Sequence, residues 1–224
     1  MTALITNVAI QKTTFKYEIP YMLLITAVLL VMGMTGNEIT FIEGVILWIL
    51  FIAYLLYLYI LAKKGNDSGD EQSVKLYPVW KCLLFIVLGG VCVVIGSQLV
   101  VNGATTIARA CGMSERFIGL TIVAFGTSLP ELVTSVSAAR KGNAGIAIGN
   151  IVGSNIFNIL FVIGTVALIC PVPFESRFVI DTVVAILCGV LLWGGTIRHK
   201  ELRKPCGVVM LLCYAAYFVY LAAM

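Results

Sequence analysis

Glu131 directly follows Pro130 inside a largely apolar stretch, Gly119-Leu120-Thr121-Ile122-Val123-Ala124-Phe125-Gly126-Thr127-Ser128-Leu129-Pro130-Glu131-Leu132-Val133-Thr134-Ser135. An ionisable group at the centre of a membrane helix costs about 3 kcal/mol unless it meets a partner or water. Pro130 has no N–H, so the Gly126 carbonyl loses its usual helix donor, and Gly126 itself weakens the same turn. A helix is therefore expected to break here and leave backbone oxygens free. Such backbone is tolerated at membrane depth only where protein or a water-filled cavity covers it. Ala124, Thr127, Ser128, Glu131 and Ser135 follow the helical i, i+3, i+4 spacing, which predicts one stripe of small and oxygen-bearing groups. A carboxylate, hydroxyls and freed carbonyls suit a hard cation such as Na⁺ or Ca²⁺, which binds oxygen.

The next apolar run repeats the pattern. Asn150, Ser154 and Asn158 are spaced i, i+4, i+8 and predict a polar stripe, with Asn155 beside it. Gly145, Gly149 and Gly153 form a small-xxx-small row that would let another helix approach closely. For the glycines alone, packing is the favoured reading; for Glu131 beside Pro130 and opposite a second polar stripe, ion binding is. Apart from Glu131 there is no acid–base pair, nucleophile–base pair or set of metal-ligating histidines, so the chain is not expected to be an enzyme or to hold an organic cofactor. The seven cysteines form no Cys-x-x-Cys pair and are expected to be buried small hydrophobes. His199 is given no role, and Asn66-Asp67-Ser68 is a chance glycosylation match.

These residues need elements that cross a bilayer, and the composition provides them. The chain is 60% hydrophobic and 12% charged, with a mean hydropathy of +1.03, whereas a soluble domain carries roughly a quarter charged residues. Apolar runs at 20–35, 41–62, 79–101, 117–139, 146–169, 179–195 and 205–223 predict an all-α integral membrane protein with about seven transmembrane helices. The run 31–37 is expected to turn the first two helices. With that count one set of connections carries Lys12, Lys16, Lys63, Lys64, Lys75, Lys81, Arg140, Lys141, Arg198, Lys200, Arg203 and Lys204. The opposite set carries Arg109, Arg116 and Arg177. Cytoplasmic loops hold the excess of Lys and Arg, so the N-terminus is expected in the cytoplasm and the C-terminus outside a plasma (inner) membrane. No basic cluster is long enough to make nucleic acid a partner. Three parts are expected: a nearly pure apolar helical pair over 1–62, a polar cytoplasmic linker over 63–78, and the chemistry-bearing portion over 79–224, with Glu131 its one mid-membrane carboxylate.

Gly119–Glu131 and Gly149–Asn158 (Gly-Asn-Ile-Val-Gly-Ser-Asn-Ile-Phe-Asn) resemble the second α-repeat of the sodium/calcium exchanger family of cation antiporters. More loosely, Lys12–Ala62 resembles the fourth and fifth helices of that fold and Lys63–Leu76 its central cytoplasmic loop. The resemblance implies the C-terminal part of a ten-helix inverted-repeat exchanger, exchanging Na⁺ (or H⁺) for Ca²⁺. It implies that Thr127, Ser128 and Glu131 ligate Na⁺ or Ca²⁺, with the Ala124 carbonyl, Ser154 and Asn158 completing this half, and Gly126, Pro130, Asn150 and Asn155 supporting it. Two features depart from the family pattern. Family exchangers carry two inverted repeats, each with a Gly-Thr-Ser-x-Pro-Glu-type segment, and Met1–Leu76 holds no second copy. Asn158 stands where well-studied family members carry aspartate, which leaves less negative charge. The expected partners are inorganic cations and membrane lipid, with a second copy or a separate N-terminal half to complete the site. The alternative readings are a split subunit that needs a partner half and a non-transporting membrane assembly protein.

Overall fold

A computed structural model describes residues 2–5, 7–65, 78–113, 115–142, 144–197 and 200–223. Residues 66–77 of the expected linker, His199 and the C-terminal Met224 lie outside the described residues, while 63–65 of that linker are helical and Pro78 caps the next helix. The elements are α1 (Thr2–Ile5), β1 (Val8–Ala9), α2 (Ile19–Gly36), β2 (Glu38–Ile39), α3 (Phe41–Gly65), α4 (Val79–Ala110), α5 (Glu115–Ile118), α6 (Ala124–Thr127), α7 (Leu129–Arg140), α8 (Ala144–Phe157), α9 (Gly164–Ile169), β3 (Val172–Pro173), α10 (Ser176–Ile197), β4 (Glu201–Leu202) and α11 (Lys204–Ala223). Wider π-helical turns at Thr14–Glu18, Gly119–Val123 and Asn158–Ile163 are continuous with the helices that follow them.

Among the described residues five helical stretches are long and apolar enough to cross a membrane: Thr14–Gly36, Phe41–Lys63, Val79–Ala110, Gly145–Ile169 and Ser176–Ile197. A sixth crossing forms if the bent pair Thr121–Thr127 and Leu129–Arg140 counts as one, and Lys204–Tyr220 is a shorter apolar helix. Pro130 begins a helix, lying in the first turn of α7, where the absent N–H has no helical acceptor to satisfy, whereas Pro20 directly follows the π-helical turn Thr14–Glu18 within one helical stretch.

Two expectations about the first helices are corrected. The helical stretch begins at Thr14, not Pro20, which brings Glu18 inside it at 8% exposure. The 1–62 pair is therefore less apolar than expected, and carboxylates other than Glu131 lie near the starts of spans: Glu18 and Glu43 in the first two and Asp181 in Ser176–Ile197. Nor do residues 31–36 turn. The helix runs on through Gly36, and Asn37, in the left-handed conformation at φ 55°, makes the reversal. Gly33 serves a close approach: a Cβ there would run into the Phe174 ring.

The element order α1-β1-α2-β2-α3 recurs as α9-β3-α10-β4-α11. The contacts obey the same exchange: β1 pairs antiparallel with β4, and β2 with β3. Helix α2 packs on α10, α3 on α9 and α1 on α11. Each contact is carried onto itself or another by swapping the two units, so they are related by a two-fold that inverts one against the other. Glu38 pairs with Pro173 at one end and Val8 with Leu202 at the other, so α2 and α10 run antiparallel.

The core sits where α2, α3 and α8 meet, with Ile19, Ile25, Leu47, Val152, Ile156 and Leu160 all buried. Phe161 packs its ring against Trp48 at 5.2 Å and Phe157 at 4.7 Å, which ties the π-helical turn after α8 to α3. Helix α4 is the opposite case, with Ala108 its one buried residue. The cysteines differ from expectation: Cys82, Cys92, Cys111 and Cys170 are exposed and the other three half-buried. Cys82 and Cys92 lie on α4, whose apolar side chains have no core to enter.

Candidate cation site

The chain breaks where Pro130 requires it. The axes of Thr121–Thr127 and Leu129–Arg140 differ by 48°, and Ser128 joins them at φ −90° and ψ 0°. The Ser128 N–H turns back to the Phe125 carbonyl at 3.1 Å, while the Ser128 carbonyl accepts from Leu132 and starts α7. Gly126 lets α4 close on this break, since a Cβ there would run into Val101 Cγ2. Glu131 consequently stands in the first turn of α7, near the partial positive charge of a helix N-terminus.

Helix α8 lies along α7, and Asn150 joins them. Its Nδ2 donates to the Glu131 carbonyl at 3.3 Å, to Thr134 Oγ1 at 3.0 Å and to Ser135 Oγ at 3.2 Å. Ser135 is 1% exposed. The amide thus holds backbone and hydroxyls of α7 and leaves the Glu131 carboxylate alone. Glu131 Oε2 is buried and, among the described residues, accepts no hydrogen bond. It borders a cavity of about 430 Å³ with Ser128, Ser135, Ser154, Asn155 and Asn158. Ser154 Oγ and Asn155 Nδ2 donate to the Ile151 carbonyl at 3.0 and 2.9 Å. Those bonds leave the Ser154 hydroxyl lone pairs and the Asn155 amide oxygen available as acceptors.

The structure divides the residues singled out in the sequence. Ser128, Glu131, Ser154, Asn155 and Asn158 share the cavity, and Asn150 braces the helices outside its lining. Thr127 is separated from them: it lines another cavity of about 210 Å³ with Gly126, Pro130, Ser97, Gln98 and Asn102. The single stripe expected from i, i+3, i+4 spacing assumed a continuous helix, and the break at Ser128 separates its first part. Ala124 opens α6. Thr134 and the α4 polar groups Ser97, Gln98 and Asn102 were not singled out in the sequence. Their signal was available as hydroxyls and amides inside a run otherwise read as apolar.

The glycine row also behaves differently from expectation. Cβ atoms built at Gly149 or Gly153 would meet nothing within 4 Å, and one at Gly145 meets only Gln11 and Ala9 at 3.6 Å or more. Helix α8 buries Ala147, Ile148, Val152 and Ile156 on its other side. Its glycine row therefore packs on no helix of the described chain.

Among the described residues no group of three or more His, Cys, Asp or Glu is placed to hold a metal. The cavity's donors are one carboxylate, hydroxyls and amide oxygens, a set for hard cations and not for thiolate- or imidazole-bound metals.

Comparison with known proteins agrees with this chemistry. A profile of the sodium/calcium exchanger protein family matches residues 81–223. The chain is 34% identical to the putative antiporter CaxA of Alkalimonas amylolytica, over 96% of this chain and 70% of that one. It is 38% identical to the sodium/calcium exchanger MaX1 of Methanosarcina acetivorans, over 63% of this chain and 41% of that one. The fold superposes on the sodium-calcium exchanger NCX_Mj with a TM-score of 0.78 and 31% identity, covering 98% of this chain and 70% of that one. This multi-pass membrane protein belongs to the sodium/calcium exchanger protein family.

Proposed function

We propose that this chain works in cation antiport, exchanging Ca²⁺ for Na⁺ across the membrane, with Glu131 supplying the charge that the ions share in turn. The observation that carries this reading is the buried Glu131 oxygen that, among the described residues, has no donor, at a helix break, in a largely apolar cavity to which Ser128, Ser135, Ser154, Asn155 and Asn158 add hydroxyls and amides. Ser128, Ser154 and Asn158 are the further ligands of this half-site, and Thr127 and the Ala124 carbonyl join it when α6 moves against α7. In inverted-repeat transporters the site lies near the midplane between bundles, and rocking of one bundle against the other alternates access.

A Ca²⁺ ion takes six to eight oxygens, more than one carboxylate and its neighbours provide. The glycine row of α8 and the exposed length of α4 supply the place for the remainder. A second copy or a separate half docks there and completes the ligand set. The β1–β4 end carries Lys12, Lys200, Arg203 and Lys204, and the β2–β3 end Glu38, Glu43 and Glu175. The basic end faces the cytoplasm of a plasma (inner) membrane, which supports the orientation expected from the charge tally.

The test uses vesicles loaded with Na⁺ and diluted into radioactive Ca²⁺, with or without external Na⁺. Uptake is expected only with the outward Na⁺ gradient. Equal uptake in both arms would sink antiport with Na⁺.

A further inference from the structure

Glu18 closes the π-helical turn at the start of the first span and is 8% exposed. The Thr14 side chain hydrogen-bonds it, which leaves most of the carboxylate's acceptor positions open. It lines a cavity of about 280 Å³ otherwise walled mainly by Tyr17, Tyr21, Tyr54 and Tyr57, far more than the roughly 30 Å³ of one water. The rings form a continuous wall. Tyr21 stacks on Tyr54 at 5.5 Å, Tyr54 on Tyr57 at 6.2 Å, and Tyr57 meets Tyr17 at 6.2 Å. Tyr21 is fixed by its hydroxyl, which donates to the Leu50 carbonyl at 2.9 Å. The Tyr57 hydroxyl is buried and, among the described residues, has no partner.

The inverted unit holds the same constellation in another condition. Asp181 on α10 and Tyr217 on α11 are 36 residues apart, and the Tyr217 hydroxyl donates to Asp181 Oδ1 at 2.6 Å. Glu18 and Tyr54 have the same separation, and Tyr57 and Tyr220 each follow one turn later. The Tyr217–Tyr220 pair stacks at 6.3 Å and 26°, against 6.2 Å and 26° for Tyr54–Tyr57. At Asp181 the tyrosine itself closes on the acid. At Glu18 a cavity lies beside the acid, and a tyrosine hydroxyl there is left over.

We propose that the Glu18 cavity holds the alkylammonium end of a zwitterionic phospholipid headgroup. A carboxylate among aromatic rings suits an organic cation, which ring faces attract. Bare Ca²⁺ would need oxygens that Glu18 and Tyr57 cannot supply in number. Glu18 and Tyr17 lie in the first turns of the span Thr14–Gly36, towards the membrane interface where tyrosines collect, and the cavity runs inward from there to Leu50 and Ala53. Tyr17, 51% exposed, borders it. Lys16 holds its Nζ 5.3 Å from the Tyr17 ring centre, and Lys12 lies one turn before it. These two ammonium groups meet the lipid's phosphate while its own ammonium enters the cavity.

The test is lipid retention by the purified protein in mixed micelles of phosphatidylethanolamine, phosphatidylcholine and phosphatidylglycerol, read by native mass spectrometry. The zwitterionic lipids are expected to outcompete phosphatidylglycerol, and Glu18→Gln to reduce their retention about tenfold, the equivalent of about 1.4 kcal/mol. Tyr57→Phe separates the sources. It weakens an ethanolamine group, whose N–H bonds the hydroxyl, and spares a choline group, which has none to give. Asp181→Asn is expected to change nothing. Should Glu18→Gln fail to fold, preference of the unaltered protein for zwitterionic lipid over phosphatidylglycerol decides. Equal retention of all three lipids, or undiminished retention by a folded Glu18→Gln protein, would overturn the proposal.

Discussion

Asn150 Nδ2 donates to the backbone oxygen of Glu131 at 3.3 Å while the buried Oε2 of the same residue, among the described residues, accepts no hydrogen bond. One residue is thus held by its main chain while one of its carboxylate oxygens stays open, the arrangement a site needs if its charge is to serve an ion. Asn150→Ala removes the donor shared by the Glu131 carbonyl, Thr134 and Ser135. It is expected to destabilise the protein by about 2 kcal/mol, the cost of leaving buried acceptors unmet. Thermal unfolding in detergent measures this, and an unchanged midpoint would show that water replaces the amide.

Gly33 and Phe174 form the tightest test of the inverted packing, because they bring the β2–β3 end together. Gly33→Ala is expected to cost about 1–3 kcal/mol, as overpacking does. Adding Phe174→Leu should recover a substantial share. A double variant no more stable than Gly33→Ala alone would mean that the two positions do not meet.

The glycines near the site separate two roles. Gly126→Ala drives a methyl into Val101, so a loss of about 1–3 kcal/mol is expected, relieved by Val101→Ala. Gly149→Leu has open space, so the isolated chain should unfold at the unaltered temperature while losing association with a second copy or partner half. Light scattering after size exclusion reads the second effect. A Gly149→Leu chain that unfolds early would place a neighbour where the structure has none.

Orientation is tested with single cysteines in a background lacking the seven native ones. A cysteine replacing Glu175 should react with an impermeant maleimide added outside intact cells, and one replacing Gln11 should not. The reverse result would invert the protein in the membrane.

Much of this architecture is legible in the sequence, because a long apolar run has few folds open to it in a bilayer and Pro130 must interrupt a helix. The rest depends on what lies across from a residue. Glu18 escaped because a span read to begin at Pro20 leaves out the π-helical turn that carries the acid inward. Thr127 and Glu131 share a face only on a straight helix, and the 48° bend separates them. Gly33 looks like a turn residue until Phe174, far along the chain, is seen beside it. The spacing of Gly145, Gly149 and Gly153 is that of a packed row, and spacing alone cannot supply the helix that would pack there.

On the proposed function, cation exchange depends on the Glu131 charge. The most direct measurement is Na⁺-gradient-driven uptake of radioactive Ca²⁺ by vesicles holding equal amounts of the unaltered protein and of Glu131→Gln. The substitution keeps size and hydrogen-bonding capacity and removes the charge. Gradient-dependent uptake by the unaltered protein, reduced to background by Glu131→Gln with normal expression and unfolding temperature, is the predicted result. Uptake by Glu131→Gln at the unaltered rate would contradict the account and move the site elsewhere.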